Sequence, residues 1–198
     1  GPVAEGARRW DAPVGEAMDG TVRLRRSVLF VPGSNERALA KARSLAADAL
    51  ILDLEDAVAP AAKTEARAWI AGDLARGGYG SRELVLRVNH EESPWYDDDL
   101  RAAASMPIDA VLLPKVERAE TVRAAEQALS DAGLPASVAL WCMIETPFGV
   151  LRAEEIAGAS ARLAALVMGT SDLVKDLHAH HSPTRNEVAT SLGPVGPA

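Results

Sequence analysis

Two carboxylate residues stand at the ends of consecutive apolar segments in the C-terminal part of the sequence. Glu145 ends the segment VALWCMIE, and Asp172 ends ALVMGTSD. If these segments are neighbouring parallel strands, about 4.8 Å apart, carboxylates at equivalent heights can share one hard cation. Two protein carboxylates completed by water and substrate oxygens are a usual environment of Mg²⁺. The alternative, which the spacing leaves open, is that each acid caps the helix after its strand.

An arginine and a pair of acids follow two earlier apolar segments. Arg87 closes the run ELVLR, and its planar guanidinium suits bidentate binding of a substrate carboxylate. The acids Glu55 and Asp56 follow the run ALILDL. They either orient water around a bound cation or pair with arginine and lysine residues at the same sheet edge. Arg87 therefore has two open interpretations, a substrate contact or a structural ion pair with Glu55 or Asp56.

Three other kinds of reactive side chain are present, and the sequence favours an unreactive role for each. Lys115 stands where a Schiff-base lysine could lie, but a metal-dependent site does not need one. Cys142 is the single cysteine, which excludes an intrachain disulfide. It lies among apolar residues, which favours a buried thiol. The histidines His178, His180 and His181 have no companion ligands nearby in the sequence, which favours an exposed helix end.

The elements that must position these residues are indicated by alternating apolar and helical patterns. Six short apolar runs without strict polar alternation are typical of strands buried on both faces of a parallel sheet. Intervening patterns predict helices over 34–46, 61–75 and 118–133, the first with Ser34 or Asn35 as its N-cap. Strand–helix alternation of this kind predicts an α/β fold. The runs cover residues 27–33, 49–56, 83–89, 110–116, 138–145 and 165–172.

The spacing of the runs favours a TIM (β/α)₈-type barrel over an open doubly wound sheet. Successive runs begin about 27 residues apart, close to the spacing of that barrel. Polar residues at many strand ends are typical of its active-site face, whereas VPGSNE after the first run is neither G-x-G-x-x-G nor a P-loop. Only about six βα units are present, because the sixth run ends at residue 172 and the 26 residues after it are too few for two more units. We therefore expect either further residues beyond this sequence or a partner subunit to cover the two edge strands.

Composition sets the class of protein and argues against several partners. The 198 residues include 21 Lys and Arg against 28 Asp and Glu, which gives a net charge of −7 at pH 7. This acidic balance argues against nucleic acid and anionic membranes, which are bound through clustered Lys and Arg. The absence of a long apolar stretch and of a signal-peptide pattern predicts a cytoplasmic protein with no membrane partner. Residues 1–24 are expected to form a flexible N-terminal arm, and 194–198 a tail or a truncation point.

The order and spacing of several motifs resemble one known family. The opening segment RRSVLFVPGSNERALAKARSLAADALILDLEDAVAPAAKTEAR, followed by LRVN, LLPKVE, IETPFGV and GTSDL, is similar to the citrate lyase β-subunit-like proteins of the HpcH/HpaI aldolase superfamily. The resemblance covers residues 25–193 and implies a catalytic TIM-barrel domain that assembles into trimers or hexamers. It also implies Mg²⁺-dependent cleavage or formation of a carbon–carbon bond between a 2-oxo acid and an acetyl-type thioester, with a coenzyme A thioester as the substrate.

The same resemblance implies roles for the residues at the strand ends. Glu145 and Asp172 match the two metal ligands of the family, and Glu145 is also expected to contact the substrate. Arg87 matches the residue that binds the substrate carboxylate. These assignments agree with the interpretation of the same three residues from their chemistry, in which a cation and a guanidinium orient an acidic substrate.

Three further expectations rest on the resemblance. Glu55 and Asp56 match acids of the family that do not bind the metal themselves but orient the groups bound to it. Together with Arg87 they are the predicted catalytic residues. Lys63 lies where some relatives contact the substrate or coenzyme A. In family members where it is known, a catalytic aspartate comes from the C-terminal segment of a neighbouring subunit, and this sequence ends before that segment.

Three functions of different classes remain open at this point. The first is a Mg²⁺-dependent lyase that acts on malyl-, citramalyl- or citryl-type thioesters. The second is a metal-dependent barrel aldolase that acts on free 2-oxo acids such as pyruvate or oxaloacetate. The third is a catalytically silent barrel subunit, which the missing C-terminal acid favours for this chain. Dependence on coenzyme A separates the first two.

Overall fold

Six parallel strands form one sheet in the computed structural model of the chain, which describes residues 23–189. Their order across the sheet is their order along the sequence, from β1 to β6. Each strand lies within or overlaps one of the six predicted runs, so the expectation of an α/β fold with a parallel sheet is confirmed. The strands are β1 Val28–Pro32, β2 Ala49–Asp53, β3 Glu83–Arg87, β4 Ala110–Leu113, β5 Ala139–Ile144 and β6 Leu163–Met168.

Seven helices follow the strands in the described residues, and the three predicted from apolar spacing are among them. The first begins after Asn35, whose side chain accepts a hydrogen bond from the backbone N–H of Ala38 at 3.0 Å, which confirms one of the two expected N-caps. The helix after β3 was not predicted, because three acids in its first turn and a buried Asp99 obscure its apolar stripe. The helices are α1 Glu36–Ala42, α2 Lys63–Arg76, α3 Tyr96–Ala103, α4 Ala119–Asp131, α5 Pro147–Leu151, α6 Ala153–Ala157 and α7 Thr170–Asp176, with short 3₁₀ turns at Pro60–Ala62 and Asn186–Val188.

Apolar side chains cover both faces of the sheet, which explains why the strands show no polar alternation in the sequence. On the outer face, Leu52, Leu86 and Cys142 belong to a large core that includes the buried sides of the helices. Trp141 is 1% exposed on the other face, as expected for a core residue. The buried members of this inner cluster are Ala49, Ile51, Val85, Ala110, Leu112, Trp141 and Met143.

Contacts between strands that are not neighbours show that the sheet curls around its inner face. The guanidinium of Arg87 on β3 lies 5.3 Å from the ring of Phe30 on β1. Arg25, just before β1, lies 5.1 Å from the ring of Trp141 on β5, four strands away. Four steps in a flat sheet would separate the strands by about 19 Å. The sheet is therefore a curled half-barrel with a concave inner face.

The two ends of the half-barrel are open among the described residues. Here β1 pairs only with β2, and β6 only with β5. Phe30 on β1 and Leu166 on β6 remain 41% and 40% exposed. The predicted tail and nearly all of the predicted arm lie outside the described residues. No helix between residues 23 and 189 is long and apolar enough to cross a membrane.

Candidate functional site

The carboxyl ends of the strands bring most of the predicted site residues to one rim of the concave face. Arg87 ends β3 and is in register with Asp53, which ends β2. Because successive residues in a strand point to opposite faces, both share the inner face with the apolar cluster. Glu145 directly follows β5 and lies on the same face by the same alternation. Asp172 is the third residue of α7, the helix that follows β6.

Arg87 is fixed by a carboxylate that the sequence analysis did not single out. Its Nε donates to Asp53 Oδ1 at 2.7 Å, and its Nη2 donates to Asp53 Oδ2 at 2.6 Å. Both side chains are buried. Although burial alone lowers the pKa of Arg87, the hydrogen bonds and charge of Asp53 raise it above its ordinary value. The only signal in the sequence was the equivalent position of Asp53 and Arg87 at the ends of adjacent strands.

Glu55 lies between Arg87 and a lysine on the next strand end. Its Oε2 lies 2.9 Å from Arg87 Nη1, and its Oε1 accepts a hydrogen bond from Lys115 Nζ at 3.0 Å. Asp56 is farther away, at 3.7 Å from Arg87 and 4.0 Å from Lys115, and about half of its side chain is exposed. The predicted ion pairs of Arg87 with Glu55 and Asp56 are therefore present, but the pair with Asp53 is the closest.

Lys63 supports the loop that carries these acids. It is the first residue of α2, and its Nζ donates to the backbone carbonyls of Leu54 and Glu55 at 2.7 Å each. The ammonium also lies 5.3 Å from the ring of Trp95. Lys63 is 5% exposed, and burial lowers its pKa. Its ammonium is thus engaged with the chain itself, and the predicted contact with a substrate or coenzyme A stays a prediction.

Glu145 is held in place by a backbone N–H and by a glycine. Its Oε1 accepts a hydrogen bond from the N–H of Lys115 at 2.9 Å, and Lys115 adopts the left-handed conformation, with φ of 51°. A Cβ atom on Gly169 would lie only 2.6 Å from Glu145 Oε2. Residue 169 must therefore lack a side chain for the carboxylate to occupy its position.

The two acids assigned to the metal do not cap helices. The N-cap of α5 is Thr146, whose hydroxyl accepts from the N–H of Gly149 at 3.1 Å. The N-cap residue of α7 is Gly169, which has no side chain to accept a hydrogen bond. The alternative interpretation of Glu145 and Asp172 as capping residues is therefore wrong.

The charges around Glu145 suit a divalent cation. Burial and, to a smaller extent, the negative charges of Glu55 and Asp172 together raise the pKa of Glu145 to about 7, against the opposing effect of the Lys115 N–H. A cation would relieve this repulsion. Among the described residues, no group of three or more His, Cys, Asp or Glu side chains could hold a metal ion. Two carboxylates completed by water or substrate fit Mg²⁺, whereas protein zinc sites need three or four ligands.

A buried polar network stabilises the chain behind the rim and explains a second strand-end residue. Asp99 of α3 accepts hydrogen bonds from the backbone N–H and the Nδ2 of Asn89, at 2.9 and 2.7 Å. It also accepts from Arg67 Nη1 at 2.8 Å. Asn89 is therefore committed to the contact between the β3 end and α3. This network could not be predicted from the sequence, because Asp99 lies on α3, the helix that no apolar spacing indicates.

Of the discounted residues, Lys115 lies on the rim as an ion-pair partner of Glu55, whereas Cys142 and His181 take no part in the rim contacts described above. Cys142 is buried, and burial raises the pKa of its thiol to about 12, as expected for an unreactive cysteine. His181 lies 3.9 Å from Glu187, and most of its side chain is exposed. These observations agree with the structural roles expected for them.

Comparisons with known proteins place the chain beside a family of aldolases and lyases. The family model for HpcH/HpaI aldolase/citrate lyase matches residues 26–195. The chain is 48% identical over 168 residues to a (3S)-malyl-CoA thioesterase of Cereibacter sphaeroides strain KD131, covering 85% of this chain and 56% of that protein. It is 38% identical over 171 residues to citrate lyase subunit beta of Escherichia coli K12, covering 84% of this chain and 57% of that protein. The chain thus spans little more than half the length of these relatives.

A solved structure with bound ligands shares the fold. The citrate lyase beta subunit of Mycobacterium tuberculosis, complexed with oxaloacetate and magnesium, superposes with a TM-score of 0.67. The two chains are 28% identical, and the match covers 86% of this chain and 74% of that one.

Proposed function

Because the chain belongs to the HpcH/HpaI aldolase/citrate lyase family, we propose that the residues on its rim form the active site of a Mg²⁺-dependent carbon–carbon lyase. The proposed substrates are coenzyme A thioesters of the malyl, citramalyl or citryl type, which are cleaved to or formed from a 2-oxo acid and an acetyl-type thioester. The observation that carries the proposal is a buried acid, Glu145, beside Asp172 on the same rim as an anchored Arg87.

The architecture proposed for the whole protein is a TIM barrel. The six strands would be six of its eight, and the open edges of β1 and β6 would be covered by chain outside the described residues. The match to only 56% of a relative's length supports this proposal. A homo-oligomer, a trimer or hexamer, stays a prediction, as do a cytoplasmic location and the domain limits at residues 25–193.

We propose that Glu145 and Asp172 hold the cation. Lys115 and Gly169 fix the Glu145 carboxylate, while Asp172 approaches from the first turn of α7. When bound, Mg²⁺ supplies Lewis-acid stabilisation of negative charge on substrate oxygens. The remaining coordination positions are open to water and to the substrate, since the chain offers two carboxylates there.

Arg87 is the proposed contact for a carboxylate of the substrate. Asp53 occupies Nε and one proton of Nη2, which leaves the second Nη2 proton and Nη1, now beside Glu55 Oε2 at 2.9 Å, as the proposed donors to the substrate. This anchoring holds the guanidinium before the substrate arrives, which orients the carbon–carbon bond to be broken. In the cleavage direction the substrate hydroxyl loses its proton, the carbon–carbon bond breaks, and its electron pair leaves as a thioester enolate beside the new 2-oxo acid. The enolate carbon then takes up one proton to give the acetyl-type thioester, which balances the proton lost by the hydroxyl.

A second candidate is hydrolysis of the same thioester. It is favoured by the 48% identity to a protein named (3S)-malyl-CoA thioesterase. The two activities use one substrate but break different bonds, a carbon–carbon bond in the lyase and a carbon–sulfur bond in the thioesterase.

Product analysis separates these functions. The full chain is incubated with MgCl₂ and malyl-, citramalyl- or citryl-CoA, and the coenzyme A species are resolved by chromatography. Acetyl-CoA with a 2-oxo acid supports the lyase, whereas free coenzyme A with a hydroxy acid identifies the thioesterase. Turnover of pyruvate with an aldehyde, without coenzyme A, would identify the aldolase. No turnover in any assay favours a silent subunit, and Glu145→Gln should abolish whichever activity needs the cation.

A further inference from the structure

We propose that Glu55 occupies, on Arg87, the place that the carboxylate of an acidic substrate takes, and that substrate binding displaces Glu55 toward Lys115. This inference rests on the proposed role of Arg87 as the substrate-carboxylate contact. It assigns to Glu55 a part in ligand selection, in addition to any effect on a cation. Three features of Glu55 support it: a poorly directed contact with Arg87, a second partner in Lys115, and a backbone held by hydrogen bonds.

The contact between Glu55 and Arg87 is close but poorly directed. Oε2 lies 2.9 Å from Arg87 Nη1, yet this buried oxygen has no hydrogen bond. Glu55 is 7% exposed. A buried acceptor without a hydrogen bond loses its hydration without full compensation. A ligand carboxylate with better geometry on Nη1 would therefore be preferred over Glu55.

Arg87 cannot turn to improve this contact. Its Nε and Nη2 are held by Asp53 at 2.7 and 2.6 Å. Asp53 in turn accepts hydrogen bonds from the backbone N–H of Glu55 at 2.8 Å and of Ala57 at 3.2 Å. The guanidinium and the loop backbone are thus mutually fixed, and Nη1 is presented at one position.

Glu55 has another partner to which it can move. Its Oε1 already accepts from Lys115 Nζ at 3.0 Å, and the Lys115 side chain is 40% exposed. Because Lys63 holds the Glu55 carbonyl and Asp53 holds its N–H, the displacement is confined to the side chain. A rotation about side-chain bonds would release Nη1 while Glu55 keeps its ion pair with Lys115.

The charge balance requires an exchange rather than an addition. Arg87 already faces Asp53, Glu55 and Asp56. A further carboxylate at Nη1 would add a negative charge to a group with one guanidinium, and repulsion would weaken its binding. Displacement of Glu55 replaces one carboxylate by another at the same atom. A neutral ligand cannot replace the charge of Glu55 on Arg87, so the displacement of Glu55 requires an anionic ligand.

The test measures oxaloacetate affinity by titration calorimetry at saturating MgCl₂, with the full chain and three variants. Glu55→Gln removes the competing charge and should bind oxaloacetate roughly 10-fold more tightly, the scale of a charge-assisted hydrogen bond. Asp56→Asn measures the general effect of removing one negative charge near Arg87, because Asp56 lies 3.7 Å from Nη1 and is half-exposed, and its gain in affinity should be smaller than that of Glu55→Gln. Lys115→Met retains the backbone N–H that holds Glu145 but removes the second partner of Glu55, and should weaken binding.

The outcomes separate this inference from the proposed function. Binding by the native chain with no gain in Glu55→Gln overturns the inference and leaves the function standing. An equal gain in Glu55→Gln and Asp56→Asn would show general charge repulsion and would also overturn it. Binding only by Glu55→Gln overturns both, because the native Glu55 would then block Arg87 and not be displaced by the substrate. No binding by either overturns both. Thermal unfolding verifies that each chain is folded, and Glu55→Ala replaces Glu55→Gln if that variant does not fold.

Discussion

The two sides of the rim differ in how completely the chain balances its own charges. At the ends of β2 and β3, Arg87 is held by Asp53 through two hydrogen bonds of 2.7 and 2.6 Å. At the ends of β5 and β6, burial and neighbouring acids raise the pKa of Glu145 to about 7. The first side is a preassembled guanidinium, and the second is an acidic group suited to take up a cation. The comparison indicates that the rigidity of Arg87 comes from its ion pair with Asp53, whereas the excess negative charge at Glu145 comes from burial beside other acids.

The largest effect is expected where the balanced side is broken. Asp53→Asn leaves Arg87 buried without its closest charge partner, and removal of one member of a buried pair costs about 3–5 kcal/mol. We expect a loss of that order in the free energy of unfolding, measured by urea denaturation. Asp56→Asn is the control, since its side chain is 52% exposed. If both variants lose the same stability, the anchoring role of Asp53 is wrong.

On the acidic side, the expected loss is in cation binding rather than in stability. Glu145→Gln keeps an oxygen that can accept from the Lys115 N–H but removes the charge. Affinity for Mg²⁺ should fall by more than about 100-fold, beyond the loss seen for residues that only support a ligand. Calorimetry with MgCl₂ measures the change, and Glu154→Gln on an exposed helix position provides the control. Unchanged Mg²⁺ affinity would contradict the assignment of Glu145 as a ligand.

Arg87→Lys tests whether the balanced side also binds substrate. Lysine keeps the charge but loses the planar fork, so it cannot contact Asp53 and a ligand carboxylate together. Oxaloacetate affinity at saturating Mg²⁺ should weaken by roughly 1.5–3 kcal/mol, while Mg²⁺ affinity in the absence of oxaloacetate stays unchanged. If oxaloacetate binds as before, Arg87 is only a structural partner of Asp53.

The sequence predicted the parts of this molecule that depend on local pattern. Apolar runs located the six strands, because both faces of the sheet are buried. The ends of these runs located Glu55, Arg87 and Glu145, because the carboxyl ends of parallel strands meet at one edge. Their partners depended on strand register, which no local pattern reveals. Asp53 became recognisable as the partner of Arg87 only when the register placed the two residues side by side.

Two other features escaped prediction because they depend on packing between elements. The contact of Lys63 with the carbonyls of the preceding loop was not foreseen, because it depends on where α2 begins relative to that loop. Gly169 was seen only as part of a family motif. Its importance comes from the approach of β5 to the start of α7, where Glu145 fills the space of its missing side chain.

The smallest effect is expected from Gly169→Ala, which moves Glu145 without changing any charge. Gly169 has φ of −88°, so alanine fits its backbone and the consequence is steric. The added methyl group would lie 2.5 Å from Glu145 Cβ and 2.6 Å from Glu145 Oε2, so the Glu145 side chain and its carboxylate must shift. We expect Mg²⁺ affinity to fall by about 10-fold, or 1.4 kcal/mol, with a smaller loss of oxaloacetate affinity at saturating Mg²⁺. Gly72→Ala is the matched control, because a Cβ there meets nothing within 4 Å. Equal Mg²⁺ affinities for the two variants would show that the position of the Glu145 carboxylate does not govern cation binding, and the acidic side would then differ from the Arg87 side in charge alone.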